Sequence, residues 1–319
     1  MKNLNIYHDF NLELKLYTIP KFFINSFSNH QYKIDFIEIN KEKINKEKIE
    51  IFFGNRIQNE DIKSYKNLKW IHLGCVGYDT IDIDYLNNNN IVLTNSKGLM
   101  TNSMVEQVIN YLTTFSRGSH RINNLRKSNK LTRKDFDNYY DHIKNLNNKN
   151  VLICGYGEVG KRLSNILNYL GMNISLLSRT ERKKFKSFTL ERIHEAVENV
   201  NFVINLLPLS EKTENIFNYN VFSNMNNAYF INVGRGKTVI EKDLIKAIEE
   251  GNIIGAALDV FEKEPLESNN PLFNYENIIL TPHIAGLDSD YWNHQLDLFS
   301  YNLKQYLTSK YLTMKNKII

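Results

Sequence analysis

Three short stretches in the last third of the chain carry an arginine, two glutamates and a histidine, each just past an apolar run: NVGRG (232–236), ALDVFEKEP (257–265) and TPHIAG (281–286). Apolar runs that end abruptly in polar groups read as buried strands whose tips emerge at a surface. In an open parallel sheet ligands bind outside the carboxyl ends of the strands, so three such tips are expected to meet at one crevice. The set suits carbonyl chemistry. Arg235 can hold a carbonyl and a carboxylate in its fork and stabilise developing negative charge. Imidazole titrates near neutrality, so His283 can give a proton to an oxygen as a hydride arrives. A neighbouring glutamate, Glu262 or Glu264 on residue type alone, favours the imidazolium.

A glycine turn stands upstream of these motifs. NVLICGYGEVGKRLSNILNYLG (150–171) reads as an apolar strand, a GxGxxG turn and a helix with Val159, Leu163, Ile166, Leu167 and Leu170 on one face, closed by Gly171. The motif alone is common, but its place between strand and helix is the context that dinucleotide binding requires. Gly155 permits the tight turn, Gly157 lets a pyrophosphate approach the backbone, and Gly160 lets helix and strand pack closely. Tyr156, Glu158 and Val159 complete the loop at the helix N-terminus. The next strand ends in LLSRTERKK, where an NAD site wants an acid for the ribose hydroxyls. Ser178, Arg179 and Thr180 stand there, with Arg182 and Lys183 behind them. An acid would repel a 2′-phosphate, whereas small hydroxyls and a guanidinium bind one. NADP(H) is therefore favoured, with NAD(H) as the alternative. The strand ends in FVINLLPL and NVGRG add Leu207, Pro208, Val233 and Gly234 to the candidate cofactor contacts.

These groups need a scaffold, and the apolar runs supply one. From 4 to 96 the runs YKIDFIEI, EIFFGN, LKWIHLG and IVLTNS recur at the spacing of a small α/β sheet. TNSMVEQVINYLTTFSR (101–117) follows as a long helix with Met104, Val108, Tyr111, Leu112 and Phe115 on one face. The polar segment 119–150 has the weakest periodicity. Beyond the glycine turn, ISLLS, FVINLLPL, AYFINVG, IIGAALDV and NIILTPH are near-continuously apolar, which suits parallel strands buried on both faces. The expected fold is α/β: a Rossmann-type doubly wound parallel sheet over 101–285, plus a smaller, discontinuous, flavodoxin-like substrate domain from 1–100 and 286–319. The amphipathic stretch DYWNHQLDLFSYNLKQYL is expected to pack back on that smaller domain. A length of 319 residues fits two domains.

Composition narrows the partners. Lys and Arg number 40 against 35 acids, a net +5, but the lysines mix with acids, as in KEKINKEKIE. That reads as a solvated surface and not a nucleic-acid stripe. Cys75 and Cys154 lie far apart with no metal-ligand spacing, so reduced thiols, a cytoplasmic location and no metal are expected. Cys154 reads as strand packing. MKNLNIYHDF has no apolar signal core and no run reaches membrane-spanning length, so no membrane partner is expected. Asparagine is frequent throughout, and NNNN at 87–90 reads as a loop.

GYGEVG, NVGRG, ALDVFEKEP and TPHIAG, in this order and spacing, resemble the D-isomer-specific 2-hydroxyacid dehydrogenase family, of the glyoxylate/hydroxypyruvate reductase kind. HLGCVGYDTIDIDYL (72–86) and IVLTNSKGLMTNSMVEQVINYL (91–112) resemble its substrate loop and interdomain helix, so the likeness covers about 68–308. The resemblance implies that Arg235 anchors the substrate, that Glu264 supports His283 as acid/base, and that Glu262 is left at the surface. It also implies that Asp259 faces the nicotinamide amide and that the backbone amides of Val76 and Gly77 bind the substrate carboxylate beside Arg235 and His283. The implied reaction is hydride transfer from a nicotinamide to a small 2-oxoacid such as glyoxylate or hydroxypyruvate, giving a D-2-hydroxyacid between two closing lobes. A homodimer through 101–150 belongs to the same expectation.

Formate dehydrogenases of this fold carry glutamine where Glu264 stands, which sets that reading aside. The alternative of another class is a corepressor-like protein that senses nucleotides without turnover. The chain departs from the family at Ser178, in place of an acid, and in RKDFDNYYDHIK, which lacks the family's tryptophans and leaves Tyr139 and Tyr140 without an assigned role. The substrate side chain is expected near Phe53, Gly54, Asn55 and Arg56.

Overall fold

The computed structural model describes residues 3–8, 21, 25–26, 33–38, 46–55, 57–129, 131–137, 140 and 143–319, so Arg56 and Tyr139 lie outside the described residues. The chain divides into two compact units, Met1–Met100 with Asp288–Ile319, and Thr101–Leu287.

The first unit is built on five parallel strands: β1 (Asn3–His8), β2 (Lys33–Glu38), β3 (Ile51–Gly54), β4 (Trp70–Leu73) and β5 (Val92–Asn95). Their order, β2-β1-β3-β4-β5, is the flavodoxin-like winding. The helix Tyr291–Leu307 returns to this sheet and buries Phe299, Leu303 and Tyr306 with Ile6, Ile51, Phe53 and Trp70. Phe299 stacks on Phe53 at 4.5 Å and on Trp70 at 5.1 Å between ring centroids. At the free side of β5 the last residues run antiparallel: Ile318 N–H donates to the Leu93 carbonyl at 2.8 Å, and Thr94 bridges Lys317. An exposed strand edge is a site for unwanted pairing, and this segment covers it.

The second unit holds seven parallel strands: β6 (Asn150–Cys154), β7 (Asn173–Leu177), β8 (Lys186–Phe188), β9 (Phe202–Asn205), β10 (Ala228–Asn232), β11 (Ile253–Leu258) and β12 (Ile278–Leu280). The order β12-β11-β10-β9-β6-β7-β8 is the doubly wound one expected from the apolar runs. Winding reverses between β6 and β9, the switch point where such sheets bind ligands. The long helix Thr101–Arg117 buries Val105, Val108, Tyr111, Leu112 and Phe115, with Met104 partly buried against the same core. Among the described residues no helix is long and apolar enough to cross a membrane.

The structure adds elements that the apolar runs do not announce. β1 and β8 are polar-looking strands, NLNIYH and KSF, in which Ile6 and Phe188 are fully or almost fully buried. Helices Ser119–Lys127 and Arg133–Asp137 occupy part of the segment with weak periodicity. Asn87 and Asn88 close the helix Ile83–Asn88, and only Asn89 and Asn90 form the turn. The asparagine bias has a backbone use. Seven of the nine described non-glycine residues with positive φ are asparagines, a residue whose short amide tolerates that region. His283, at φ 55°, is an exception, and it lies at a strand tip.

Cys154 is fully buried in β6, where burial pushes its thiol well up, so it is an inert packing residue. His72 in β4 is also fully buried, with Nδ1 2.7 Å from the Thr94 hydroxyl and Phe53, Trp70 and Phe299 around its ring. Burial lowers its pKa to about 3, opposed in part by the Gln295 side chain, which favours the protonated ring. Between that value and the ordinary 6.5 the unfolded chain holds a proton that the folded chain refuses, so stability falls as pH drops through this window. The expected loss is roughly 1.4 kcal/mol per pH unit. Urea unfolding from pH 6.5 to 4.5 should show a slope shallower by about one proton in His72→Gln than in wild type. Equal slopes would remove His72 from the acid sensitivity.

Candidate active site

The glycine turn between β6 and the helix Glu158–Tyr169 leaves little steric choice. Gly155 has φ +108°, and a Cβ on Gly160 would sit 2.1 Å from the Gly155 carbonyl oxygen. A Cβ on Gly157 would meet no atom within 4 Å, so the protein itself leaves open space at the middle glycine. Gly155 N–H donates to the Leu177 carbonyl at 2.8 Å, stitching the turn to β7. Gly157 is the helix N-cap, and Glu158 pairs its side chain with Lys161 at 3.1 Å, leaving the first-turn amides to act. This arrangement fits a dinucleotide pyrophosphate, which needs close backbone approach and helix N-terminal N–H groups.

At the end of β7, Ser178 is buried and its hydroxyl donates to the Thr180 carbonyl at 2.7 Å. Its proton is therefore spent on the local turn and not offered to a phosphate, while Arg179 and Thr180 are exposed. Among the described residues no carboxylate is paired with Arg179, so the guanidinium is not occupied by a surface ion pair.

The tips of β9 and β10 are tied by side chains that the motifs do not name. Asn205 donates from Nδ2 to Asn232 Oδ1 at 3.0 Å and to Thr238 Oγ1 at 2.7 Å, and accepts from Leu207 N–H at 3.1 Å. Asn232 Oδ1 also accepts from Gly234 N–H at 3.1 Å, and Thr238 Oγ1 donates to the Arg235 carbonyl at 2.6 Å. All three residues are buried. The repeated IN dipeptide ending both strands is the signal that could have flagged them. Leu207 and Val233 are buried, and Pro208 is exposed with its carbonyl accepting from Thr213. Arg235 is half-buried, and its Nη1 donates to the Gly234 carbonyl at 2.8 Å. Gly236 fits against the next loop so closely that a Cβ would lie 1.8 Å from the Phe261 carbonyl oxygen.

β10, β11 and β12 are neighbours in the sheet, so the three polar motifs leave adjacent strands at the same end. Asp259 is buried and its carboxylate organises the TPHIAG loop. Oδ1 accepts from Ile284 N–H at 2.9 Å and from the Thr281 hydroxyl at 2.5 Å, and Oδ2 accepts from Ala285 N–H at 2.9 Å. The His283 N–H donates to the Asp259 carbonyl at 2.8 Å, closing the knot. Tyr111 of the long helix bonds the Thr281 hydroxyl at 2.5 Å. His283 is held in this left-handed turn with a half-exposed side chain, its Nδ1 2.7 Å from Glu264 Oε2. Glu264 is oriented in turn, since Oε1 accepts from Phe261 N–H at 3.1 Å.

Glu262 has a different job: it accepts from Glu241 N–H at 2.7 Å while its own N–H donates to Glu241 Oε1 at 2.8 Å, bracing the start of the helix Glu241–Glu249. In the other unit, Val76 and Gly77 follow β4, with the Val76 carbonyl held by Asn95 Nδ2 at 2.8 Å. Gly77 borders a cavity of about 210 Å³ lined also by Asn55, Gln58, Leu73, Tyr78 and Thr80. Of the residues expected near the substrate side chain, Asn55 lines this cavity, whereas Phe53 is fully buried in the aromatic core of the unit. Tyr140 is largely exposed.

Residues 109–285 match the family described as D-isomer specific 2-hydroxyacid dehydrogenase, NAD binding domain. Over 220 residues the chain is 34% identical to "Probable 2-ketogluconate reductase" of Dictyostelium discoideum, an alignment spanning 66% of this chain and 64% of that relative. Over 256 residues it is 30% identical to glyoxylate reductase of Pyrococcus furiosus, covering 78% of this chain and 76% of the relative. The fold superposes on a D-isomer specific 2-hydroxyacid dehydrogenase family protein from Klebsiella pneumoniae 342 with a TM-score of 0.84, at 21% identity, over 100% of this chain and 98% of that one.

The Asp259 knot makes a stability prediction that is independent of catalysis. Asp259→Asn keeps the size but turns one acceptor oxygen into a donor that faces a backbone N–H. Hydrogen bonds to a charged acceptor are worth about 1.5–3 kcal/mol each, so urea unfolding should register a loss of at least about 2 kcal/mol. An unchanged midpoint would show that the loop does not depend on this carboxylate.

Proposed function

Because the chain belongs to the D-isomer specific 2-hydroxyacid dehydrogenase family, we propose that it reduces a small 2-oxoacid to the D-2-hydroxyacid at the expense of NADPH. The observation that carries this reading is the 2.7 Å contact between His283 Nδ1 and Glu264 Oε2 at the strand tips of a dinucleotide-type sheet. The carboxylate fixes the ring and occupies Nδ1, so Nε2 is the nitrogen that moves a proton to or from the substrate oxygen. Glu264 acts through His283 and is itself aimed by the Phe261 amide.

Arg235 is given the substrate's carboxylate and carbonyl oxygen. Its guanidinium neutralises charge that grows on the oxygen as reduction proceeds. The nicotinamide, when bound, supplies the hydride. The turn Gly155–Tyr156–Gly157 and the first-turn amides of Glu158, Val159 and Gly160 are the groups that would hold its pyrophosphate, with Leu207, Pro208, Val233 and Gly234 beside it on the neighbouring tips. Asp259 keeps the role of orienting the nicotinamide amide only through what lone pairs the loop leaves it; its dominant work is to hold His283. Val76 and Gly77 are assigned the substrate carboxylate through their backbone N–H groups.

NADP(H) is preferred over NAD(H) because Ser178 and Arg179 stand directly after β7, where an NAD site wants an acid, with Arg182 and Lys183 close behind. A homodimeric state and a cytoplasmic location belong to the same proposal, and gel filtration addresses the first. The names of the relatives point to glyoxylate and 2-ketogluconate as substrates to try, with hydroxypyruvate between them in size.

Loss of reduced-nucleotide absorbance should be seen with at least one of these three acids, and faster with NADPH than with NADH. His283→Gln should lower kcat by roughly a hundredfold or more, the usual worth of a general acid. Its NADPH affinity by fluorescence titration should stay close to wild type. Turnover that survives this change would identify another proton donor, and no oxidation with any acid would remove the reductase reading.

A further inference from the structure

The preference for a 2′-phosphate rests on the residues after β7, and they are not equally placed to supply it. Ser178 is buried with its hydroxyl committed to Thr180. Arg182 is fixed at both ends. Its N–H donates to Ser187 Oγ at 3.0 Å, and that hydroxyl reaches the Arg182 carbonyl at 3.3 Å, so β8 holds the backbone. Its guanidinium carbon lies over the ring of Tyr156, 5.5 Å from the centroid. Tyr156 is the second residue of the glycine turn, and Phe185 meets its ring edge-on at 6.5 Å. Lys184 donates to Asn165 of the helix Glu158–Tyr169 at 2.7 Å, tying the segment after β7 to the helix that starts at the turn. Arg179, Arg182 and Lys183 are all exposed, and among the described residues none is paired with a carboxylate.

We infer that Arg182, carried on the face of Tyr156, is the residue that selects a 2′-phosphorylated adenosine over the unphosphorylated one, with Tyr156 as its positioning residue. A guanidinium laid over an aromatic ring keeps its N–H edge turned outward, where it can fork two phosphate oxygens. The ring also restrains a side chain that otherwise loses much rotamer freedom on binding. Arg179 has no such support, so its contribution is smaller. The glycine turn thereby does two things: its backbone receives the pyrophosphate and its one aromatic side chain aims the cation that reads the ribose. This rests on the NADP(H) reading above, but not on turnover.

Isothermal titration of the full chain with adenosine 2′,5′-bisphosphate and with adenosine 5′-monophosphate tests it. Wild type should bind the bisphosphate at least about tenfold more tightly, the worth of one good charge-assisted fork. Arg182→Ala should erase about that tenfold while leaving the monophosphate within about twofold. Arg179→Ala should cost less, Tyr156→Leu should reproduce part of the Arg182 loss, and Tyr156→Phe should retain the wild-type preference. The inference is overturned by a wild type indifferent to the 2′-phosphate, by an Arg182→Ala variant unchanged or weakened equally for both nucleotides, or by a Tyr156→Phe variant that loses the preference. A chain that reduced a 2-oxoacid with NADH and ignored the 2′-phosphate would keep the reductase reading and lose this one. A chain with the nucleotide preference but no turnover would do the reverse.

Discussion

One buried carboxylate governs the geometry on which the proposed chemistry depends. Asp259 directly follows β11 and spends both oxygens on the loop after β12, two of its three bonds going to backbone N–H groups. A loop that turns through a left-handed histidine is not self-supporting, because a Cβ-bearing residue at φ 55° costs energy the loop must recover elsewhere. Charge-assisted bonds in a buried site are strong enough to cover it. The strain therefore stays where it is used: it turns the imidazole of residue 283 toward Glu264, which the peptide just after Asp259 and Val260 has already aimed through the Phe261 amide. Strand tip, loop and side chain form one structure.

The same logic repeats one strand over. Asn205 and Asn232 close β9 and β10, and their amides and the Thr238 hydroxyl satisfy one another and the Gly234 amide. A buried polar network of this kind is stabilising only when every member is paired, so it specifies a single arrangement of the NVGRG turn. Gly236 adds a steric term, since its backbone lies against the Phe261 carbonyl with no room for a methyl group. The loop bearing Arg235 and the loop bearing Glu264 are thus packed backbone to backbone. Placement of the cation and placement of the carboxylate are coupled within one unit of the protein.

How much of this can be read from the residues depends on whether the cause is local. β3, β4, β5, β6, β9, β10 and β11 are legible because burial on both faces demands continuous apolarity. β1 is hidden by asparagines on either side of Leu4, although it sits between β2 and β3; its strand character comes from two partners and not from its own composition. β8 is a three-residue edge that owes its existence to β7. The chemical types at 235, 264 and 283 are visible as residue types, but the backbone of residue 283 is not, since histidine gives no warning of positive φ as glycine would. Glu262 looks like a surface acid from its neighbours, and only the approach of Glu241 from the next helix reveals the reciprocal bonds. Ser178 shows what residue type leaves out: a serine beside a turn readily bonds its own neighbouring backbone, and here its proton goes to the Thr180 carbonyl.

The nucleotide side of the site follows from a division of labour between backbone and side chain. Phosphate approach at the glycine turn is set by the absence of Cβ atoms, which no rotamer can undo, and by amides fixed in a helix. The steric part of that access does not depend on which side chains lie nearby. Recognition at the ribose is the opposite case: the cations after β7 are exposed, so each is hydrated, screened and costly to order. An exposed lysine or arginine gains little from proximity alone. What distinguishes Arg182 is a fixed backbone and an aromatic surface beneath the guanidinium, both of which reduce the ordering cost before any ligand arrives. Cofactor choice in this chain is then a matter of which cation is restrained, and counting basic residues after the second strand of the dinucleotide domain gives the sign of the preference without the residue that sets it.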